Sequence, residues 1–269
     1  MILKKVRGLV LLLGALIVLS SCGEYQKVLK SSDLEYKFQA AKRYYEQQKY
    51  EKAYPIFDEL LTLYRGTLKA EEVYFYYAST LYGMHDYYLA AYHYKTFYET
   101  FPSSQWAEEA AYQSAYCYYL ESPTYSLDQA NTYKAMNEFQ LFINRYPRSE
   151  KIPICNDRLD ELRAKLERKS FEIARQYYRT ENYQAAVQAV ENTLNDFPDT
   201  EYREEAMFIK LDAAFKLADN SILGKKEQRF KEAITAYYDF TALYPNSNMR
   251  KAADRIFEQT KQQLQQFNI

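Results

Sequence analysis

Glycine and proline are scarce, at 6 and 7 in 269 residues, against an average usage of about 7% and 5%. A β-sandwich or barrel needs turn residues at every strand end, and these are missing. The glycine loops of dinucleotide and P-loop enzymes, GxGxxG and GxxxxGK followed by Ser or Thr, are absent as well. The two histidines, His85 and His93, lie outside any HExxH, so neither is expected to hold a metal and both are read as surface or packing residues. No nucleophile–base constellation is visible, which argues against an enzyme. The net charge of −1 offers no electrostatic attraction for nucleic acid. What is plentiful excludes disorder: 48% of residues are hydrophobic and 17% aromatic, with 30 tyrosines. An all-helical protein with a surplus of tyrosine remains.

The first residues read as an address. Lys4, Lys5 and Arg7 precede an apolar stretch from Leu9 to Leu19. That stretch is too short for a spanning helix of about 20 residues and fits the core of a secretory signal. The junction Leu19-Ser20-Ser21-Cys22 resembles the bacterial lipobox, in which the cysteine is lipidated and becomes the first mature residue. Residues 1–21 are therefore expected as signal peptide and 22–32 as a lipidated tether. No cofactor is expected beyond the covalent lipid on Cys22.

The body of the chain repeats. An aromatic residue, usually Pro, any residue and Ser or Thr recur as Tyr64-Arg65-Gly66-Thr67, Phe101-Pro102-Ser103-Ser104, Tyr146-Pro147-Arg148-Ser149, Phe197-Pro198-Asp199-Thr200 and Tyr244-Pro245-Asn246-Ser247. Proline stops one helix, and the hydroxyl can cap the next. Upstream of each tag a small residue and a large one stand four apart, on one helical face: Ala53/Phe57, Ala90/Tyr94, Ala135/Phe139, Ala186/Val190 and Ala233/Tyr237. Ala41, Ala78 and Ala174, twelve residues earlier, would let a partner helix approach closely. Tyr50, Tyr87 and Tyr183 mark the turn between the paired helices. Further expectations are an insertion at 121–131, a first helix in unit 4 running from Lys151 to about Arg179 with Pro153 in its first turn, and a long loop at 220–228. A polar capping helix is expected at 250–265.

This pattern resembles the tetratricopeptide repeat. It implies an all-α superhelical solenoid of five helix pairs plus a C-terminal capping helix, with repeats 1–3 at 33–149 and repeats 4–5 with the cap at 150–269. The acid pairs Glu71-Glu72, Glu108-Glu109 and Glu204-Glu205 fall in the first turns of helices, where negative charge complements the helix dipole. Cys117 and Cys155 sit at different heights in successive first helices and are expected as packed thiols rather than a disulfide. The basic series Arg158, Arg163, Lys165, Arg168, Lys169, Arg175 and Arg179, interleaved with Glu161 and Glu167, reads as a solvated face or a dock for an acidic partner. Tyr44, Tyr77, Tyr94 and Tyr118 are expected to pack between helices. Phe38, Tyr45, Phe75, Tyr82, Tyr112, Tyr116 and Tyr119 are expected to line a groove in units 1 to 3 suited to a peptide with aromatic side chains.

Lipobox, tether and five repeats together are similar to the BamD family of outer-membrane β-barrel assembly lipoproteins. The stretches that carry the likeness are Tyr44 to Tyr50 followed by Ala53, Ala174 to Tyr178 followed by Tyr183 and Ala185-Ala186, and the Phe197 tag. The opening Cys22 to Lys30 resembles the Bacteroidota branch. The resemblance implies a non-catalytic scaffold, lipid-anchored at the periplasmic face of the outer membrane and serving membrane protein insertion. It implies binding of the BamA periplasmic domain through repeats 4–5, and of the C-terminal segments of unfolded barrel proteins through repeats 1–3. Ala189 stands where proteobacterial members carry Arg, so an ionic BamA contact there does not transfer. A glycan-binding lipoprotein, or another periplasmic adaptor built on the same repeats, is the alternative.

Overall fold

The computed structural model describes residues 23–267, all of whose regular elements are helices. Cys22 and the signal segment lie outside the described residues. Residues 23–30 are helical (α1). Then follow α2 (Leu34–Glu46), α3 (Tyr50–Leu63), α4 (Ala70–Gly83), α5 (Tyr87–Thr100), α6 (Ala107–Leu120), α7 (Ala130–Arg145), α8 (Ile152–Arg179), α9 (Tyr183–Asp196), α10 (Arg203–Asp219), α11 (Leu223–Leu243) and α12 (Arg250–Gln265). The described chain forms two compact units. Unit 1 runs to Pro123 and resumes at Gln129–Leu159; unit 2 is Thr124–Asp128 with the chain from Asp160 onward. The division falls inside α8, ten residues beyond the closing tag of repeat 3.

Each unit is a series of antiparallel helix pairs, and every expected contact residue is in the core. Ala53, Ala90, Ala135, Ala186 and Ala233 are at most 1% exposed, as are Ala41, Ala78 and Ala174. Their large partners Phe57, Tyr94, Phe139, Val190 and Tyr237 are buried with them. In unit 2 the core continues as Phe171, Ala174, Val190, Ala206 and Ile209, then as Met207, Leu211, Ala236, Tyr237, Phe240, Ala253 and Ile256. The capping helix α12 buries only Ala253, Ile256 and Thr260.

The turn within three of the pairs is one structure built three times. Gln48, His85 and Glu181 have φ of +57°, +62° and +60°. The next amide reaches back five residues in each case: Lys49 N donates to Tyr44 O at 2.8 Å, Asp86 N to Leu81 O at 3.0 Å and Asn182 N to Tyr177 O at 2.9 Å. With the accompanying bonds from Gln48, His85 and Glu181 to Tyr45, Tyr82 and Tyr178, this is the Schellman termination. A tyrosine pair pins each turn: Tyr45–Tyr50 at 5.6 Å, Tyr82–Tyr87 at 5.5 Å and Tyr178–Tyr183 at 6.3 Å between ring centroids. The left-handed position, where glycine is usual, is thus held by side-chain residues, which accounts for part of the glycine shortage.

The tag between pairs is also a single structure. Its aromatic residue ends a helix in all five copies. The hydroxyls of Thr67, Ser104, Ser149, Thr200 and Ser247 accept the N–H two residues on, at 3.0–3.3 Å. The following helix begins three residues after each hydroxyl, so the Ser/Thr caps a lead-in turn rather than the helix itself.

Two expectations are corrected. The stretch expected as a tether is helix α1: Val28 is fully buried, and Tyr25 meets Tyr44 edge-on at 5.6 Å. The stretch expected as a long loop at 220–228 is mostly helix, since α11 begins at Leu223. Lys225 to Arg229 are good helix formers, and Gly224 in the first turn does not outweigh them.

Glu181 is exposed, so its left-handed backbone carries a cost without a packing role. Glu181→Gly should stabilise the protein by about 0.5–1 kcal/mol, the relief of the left-handed cost less the extra freedom of glycine in the unfolded chain. Thermal unfolding checks this: a higher Tm is expected, and an unchanged or lower one contradicts the turn geometry.

Candidate functional site

The expected groove residues belong to unit 1, and burial separates them. Phe38 is a core residue, 1% exposed, with its ring edge-on to Phe57 at 6.2 Å and Tyr76 at 6.3 Å. It occupies the apolar side of α2 that faces α3 and α4, and so does not line a groove. Tyr45 and Tyr82 are half-buried and are engaged in pinning the turns. Phe75 is half-buried and stacks on Trp106 at 5.6 Å and 17°. Of the four expected packing tyrosines, Tyr77 and Tyr94 are buried. Tyr44 and Tyr118 are half-buried, each with a lysine over its ring.

Tyr112, Tyr116 and Tyr119 form a ladder along α6. Adjacent rings are nearly parallel, 5.9 Å apart at 8° and 5.7 Å apart at 13°. Residues three and four apart share a helix face, which makes the stack possible. Its lower rung is anchored: Tyr112 is 9% exposed and meets Phe142 edge-on at 5.9 Å. Tyr116 and Tyr119 are half-buried. Two cations cover the ends, Lys151 4.8 Å from the Tyr112 centroid and Arg158 4.8 Å from that of Tyr119. Arg158 also donates through Nη1 to the Tyr119 hydroxyl at 3.1 Å. A second aromatic–cation cluster sits on α4, where Tyr76 stacks on Phe57 at 5.7 Å and Lys42 lies 4.9 Å above Tyr76. Burial pushes the phenols of Tyr45, Tyr82 and Tyr112 above their usual range, so these hydroxyls stay protonated donors.

Tyr76, Trp106, Lys42, Lys151 and Arg158 were not singled out as groove residues by sequence. Tyr76 stands beside Phe75 and Trp106 is the sole tryptophan, so composition held a signal for both. The cations were legible only as charge. The most exposed tyrosines of unit 1, Tyr88, Tyr92 and Tyr133 at 56–61%, lie on the second helices α5 and α7 and were also missed.

The charged motifs resolve into intrachain contacts. The acid pairs occupy the first turns of α4, α6 and α10. Each also reaches a second repeat element: Glu72 pairs with Lys42 of α2 at 3.0 Å, Glu109 with Lys151 just before α8 at 3.0 Å and Glu205 with Arg175 of α8 at 3.9 Å. Along the basic series in unit 2, Arg163 bonds Glu167 and Asp199, and Arg175 meets Glu172. Residues of the insertion dock on the same helix. Arg168 lies 4.2 Å over the Tyr125 ring, and Lys169 Nζ donates to Leu127 O at 2.6 Å.

Unit 2 presents a different surface. A groove of about 810 Å³ is lined by Gln184, Gln188, Lys225, Gln228, Arg229 and Glu232 of α9 and α11, with Ala185, Val187 and Leu217 as its apolar wall. Tyrosine–aspartate–cation triads tie its helices: Tyr178 donates to Asp212, with Lys216 2.8 Å from that carboxylate; Tyr237 donates to Asp254 at 2.7 Å, with Arg250 at 2.7 Å.

Cys117 and Cys155 are free thiols, both fully buried. Burial pushes them up to about 12 and about 11, which keeps them protonated and unreactive. Among the described residues no three His, Cys, Asp or Glu side chains converge as a metal site.

Repeated antiparallel helix pairs define an all-α helical-repeat protein. The chain belongs to the YfiO family of outer membrane lipoproteins, the BamD family, whose model matches residues 31–230. No curated protein matches it in sequence. A solved structure similar to the chain is the TPR2AB-domain:pHSP90-complex of yeast Sti1, at 11% identity and a TM-score of 0.38, covering 85% of this chain and 98% of that one.

His93 packs among tyrosines, its ring 4.9 Å from Tyr77 and 5.9 Å from Tyr74, with Nδ1 3.3 Å from the Tyr74 hydroxyl. Burial lowers its pKa and outweighs Asp58 and Asp86, which raise it. On acidification the unfolded chain therefore takes up this proton first, and stability falls as pH drops below about 6.5. His93→Gln should show a smaller loss of Tm between pH 7 and pH 5 than the parent. An identical loss would contradict the packing role.

Proposed function

We propose that the protein is a non-catalytic scaffold of the outer-membrane β-barrel assembly machinery, held at the periplasmic face by lipid on Cys22. Repeats 1–3 receive the C-terminal segments of unfolded barrel proteins, and repeats 4–5 hold the periplasmic domain of BamA. Family membership supports the assembly role and the outer-membrane location. The observation that carries substrate binding is the tyrosine ladder of α6 with Lys151 and Arg158 at its ends. Parallel phenol faces offer stacking and edge contacts to an aromatic side chain, and their hydroxyls bond a peptide backbone.

Two of the seven groove residues take a smaller part in this reading. Phe38 supports the site from the core, and Tyr112 anchors the ladder rather than meeting ligand. Tyr45, Phe75, Tyr82, Tyr116 and Tyr119 remain as the contacting set.

Tyr116→Ala combined with Tyr119→Ala removes two rungs while leaving Tyr112 in place. Binding of a barrel-protein C-terminal peptide, read by fluorescence anisotropy, should weaken by about 1–3 kcal/mol, roughly tenfold or more in Kd. Equal affinity in a variant that remains folded would remove the ladder from the binding site. Retention of the parent protein on a glycan column with no peptide affinity would favour the sugar-binding alternative.

A further inference from the structure

The chain between the anchor and the first repeat is not a leash. A flexible stretch of ten residues would reach up to about 35 Å. Here residues 23–30 are helix α1, folded back along α2 through a three-residue turn. Val28 is fully buried, Tyr25 meets Tyr44 at 5.6 Å, and Glu24 stands 4.0 Å from Arg43. Lys52 of α3 covers both rings, 5.6 Å from the Tyr25 centroid and 5.8 Å from that of Tyr44. The start of α1 is therefore fixed beside the turn joining α2 to α3. Cys22 is one peptide link from Gly23, about 3.8 Å between alpha carbons.

We propose that the α2–α3 turn end of unit 1 rests on the phospholipid headgroup surface of the bilayer that holds Cys22. This rests on the lipid-anchor reading above. The length of chain available leaves little choice: with about one residue of slack, the lipid cannot enter the bilayer unless this end of the repeat comes down to the surface. Its chemistry fits headgroups rather than the acyl core. Lys27, Gln47, Lys49 and Glu51 are exposed there, and no large apolar side chain is exposed between residues 43 and 52. Tyr25 and Tyr44, half-buried beneath Lys52, are the amphipathic kind of side chain that favours membrane interfaces. α2 and α3 have 13 and 14 residues, about 20 Å each. The α3–α4 loop, with Leu68 fully exposed, thus stands roughly that much farther from the anchor within unit 1.

The test places a thiol-reactive fluorophore at Gln47→Cys or at Leu68→Cys in the full-length lipoprotein. Cys117 and Cys155 are buried with raised thiol pKa, so labelling is confined to the new site. The labelled protein is reconstituted in phosphatidylethanolamine–phosphatidylglycerol vesicles carrying a headgroup-attached quencher. Quenching at Gln47→Cys should exceed that at Leu68→Cys severalfold. Inserting a flexible Gly/Ser linker of about 20 residues between Cys22 and Gly23 should abolish most of the difference. Equal quenching at both positions in protein that floats with the vesicles would overturn the proposal and leave the anchor standing. A protein that does not float would overturn the anchor and the proposal together.

Discussion

Everything in this structure depends on how closely two antiparallel helices approach within each repeat. Ala41 and Ala53, Ala78 and Ala90, and Ala174 and Ala186 are fully buried. An alanine presents only a methyl group, so the helices draw near enough for the large residue one turn on, such as Phe57 or Tyr94, to fill the space beside them. Interiors are close-packed, so extra methylenes at these points would cost about 1–3 kcal/mol each. The same constraint fixes where each turn falls and which helix face remains for a ligand. Gly83 is a related case. A Cβ there would lie 2.5 Å from the Tyr50 ring, so the tyrosine that opens α3 presses directly on the end of α4.

The fold was legible because periodic constraints repeat. The spacing of alanines, turn tyrosines and aromatic-proline tags placed five helix pairs and the capping helix, since each copy must solve the same packing problem. The failures came where a single copy departs. α1 lacks a repeat partner, and Val28 is its one fully buried residue, with Tyr25 and Leu29 half-buried. The start of α11 was masked by Gly224, a local signal that its helix-forming neighbours override. The groove was less legible still. Phe38, Tyr45 and Tyr112 lie on first helices as expected, yet helical spacing does not tell a residue facing an adjacent helix from one at the edge of it. The cations over the rings come from other helices, as Lys151 and Arg158 do for the ladder, and no local pattern ties them to α6.

The tyrosine surplus has a physical division of labour. One group pins turns in pairs, another fills cores with its hydroxyl satisfied, as Tyr94 is by Ser79 at 3.0 Å. A third builds triads with Asp212 and Asp254 that tie helices in unit 2. The ladder on α6 is a fourth group, packed at Tyr112 against Phe142, and its half-buried rungs carry the proposed substrate contact. Unit 2, whose α9–α11 groove mixes charged and amide side chains with Ala185, Val187 and Leu217, is the part proposed to hold a folded partner.

The central claim is that this lipoprotein is a working part of a barrel-assembly complex. Affinity purification of the full-length protein from mildly solubilised outer membranes, followed by identification of what it retains, tests this most directly. The account predicts that a BamA-type barrel protein is recovered in near-equal amount, and that removing its periplasmic domains abolishes recovery. Clean recovery of the lipoprotein from the membrane fraction without any such protein would contradict it.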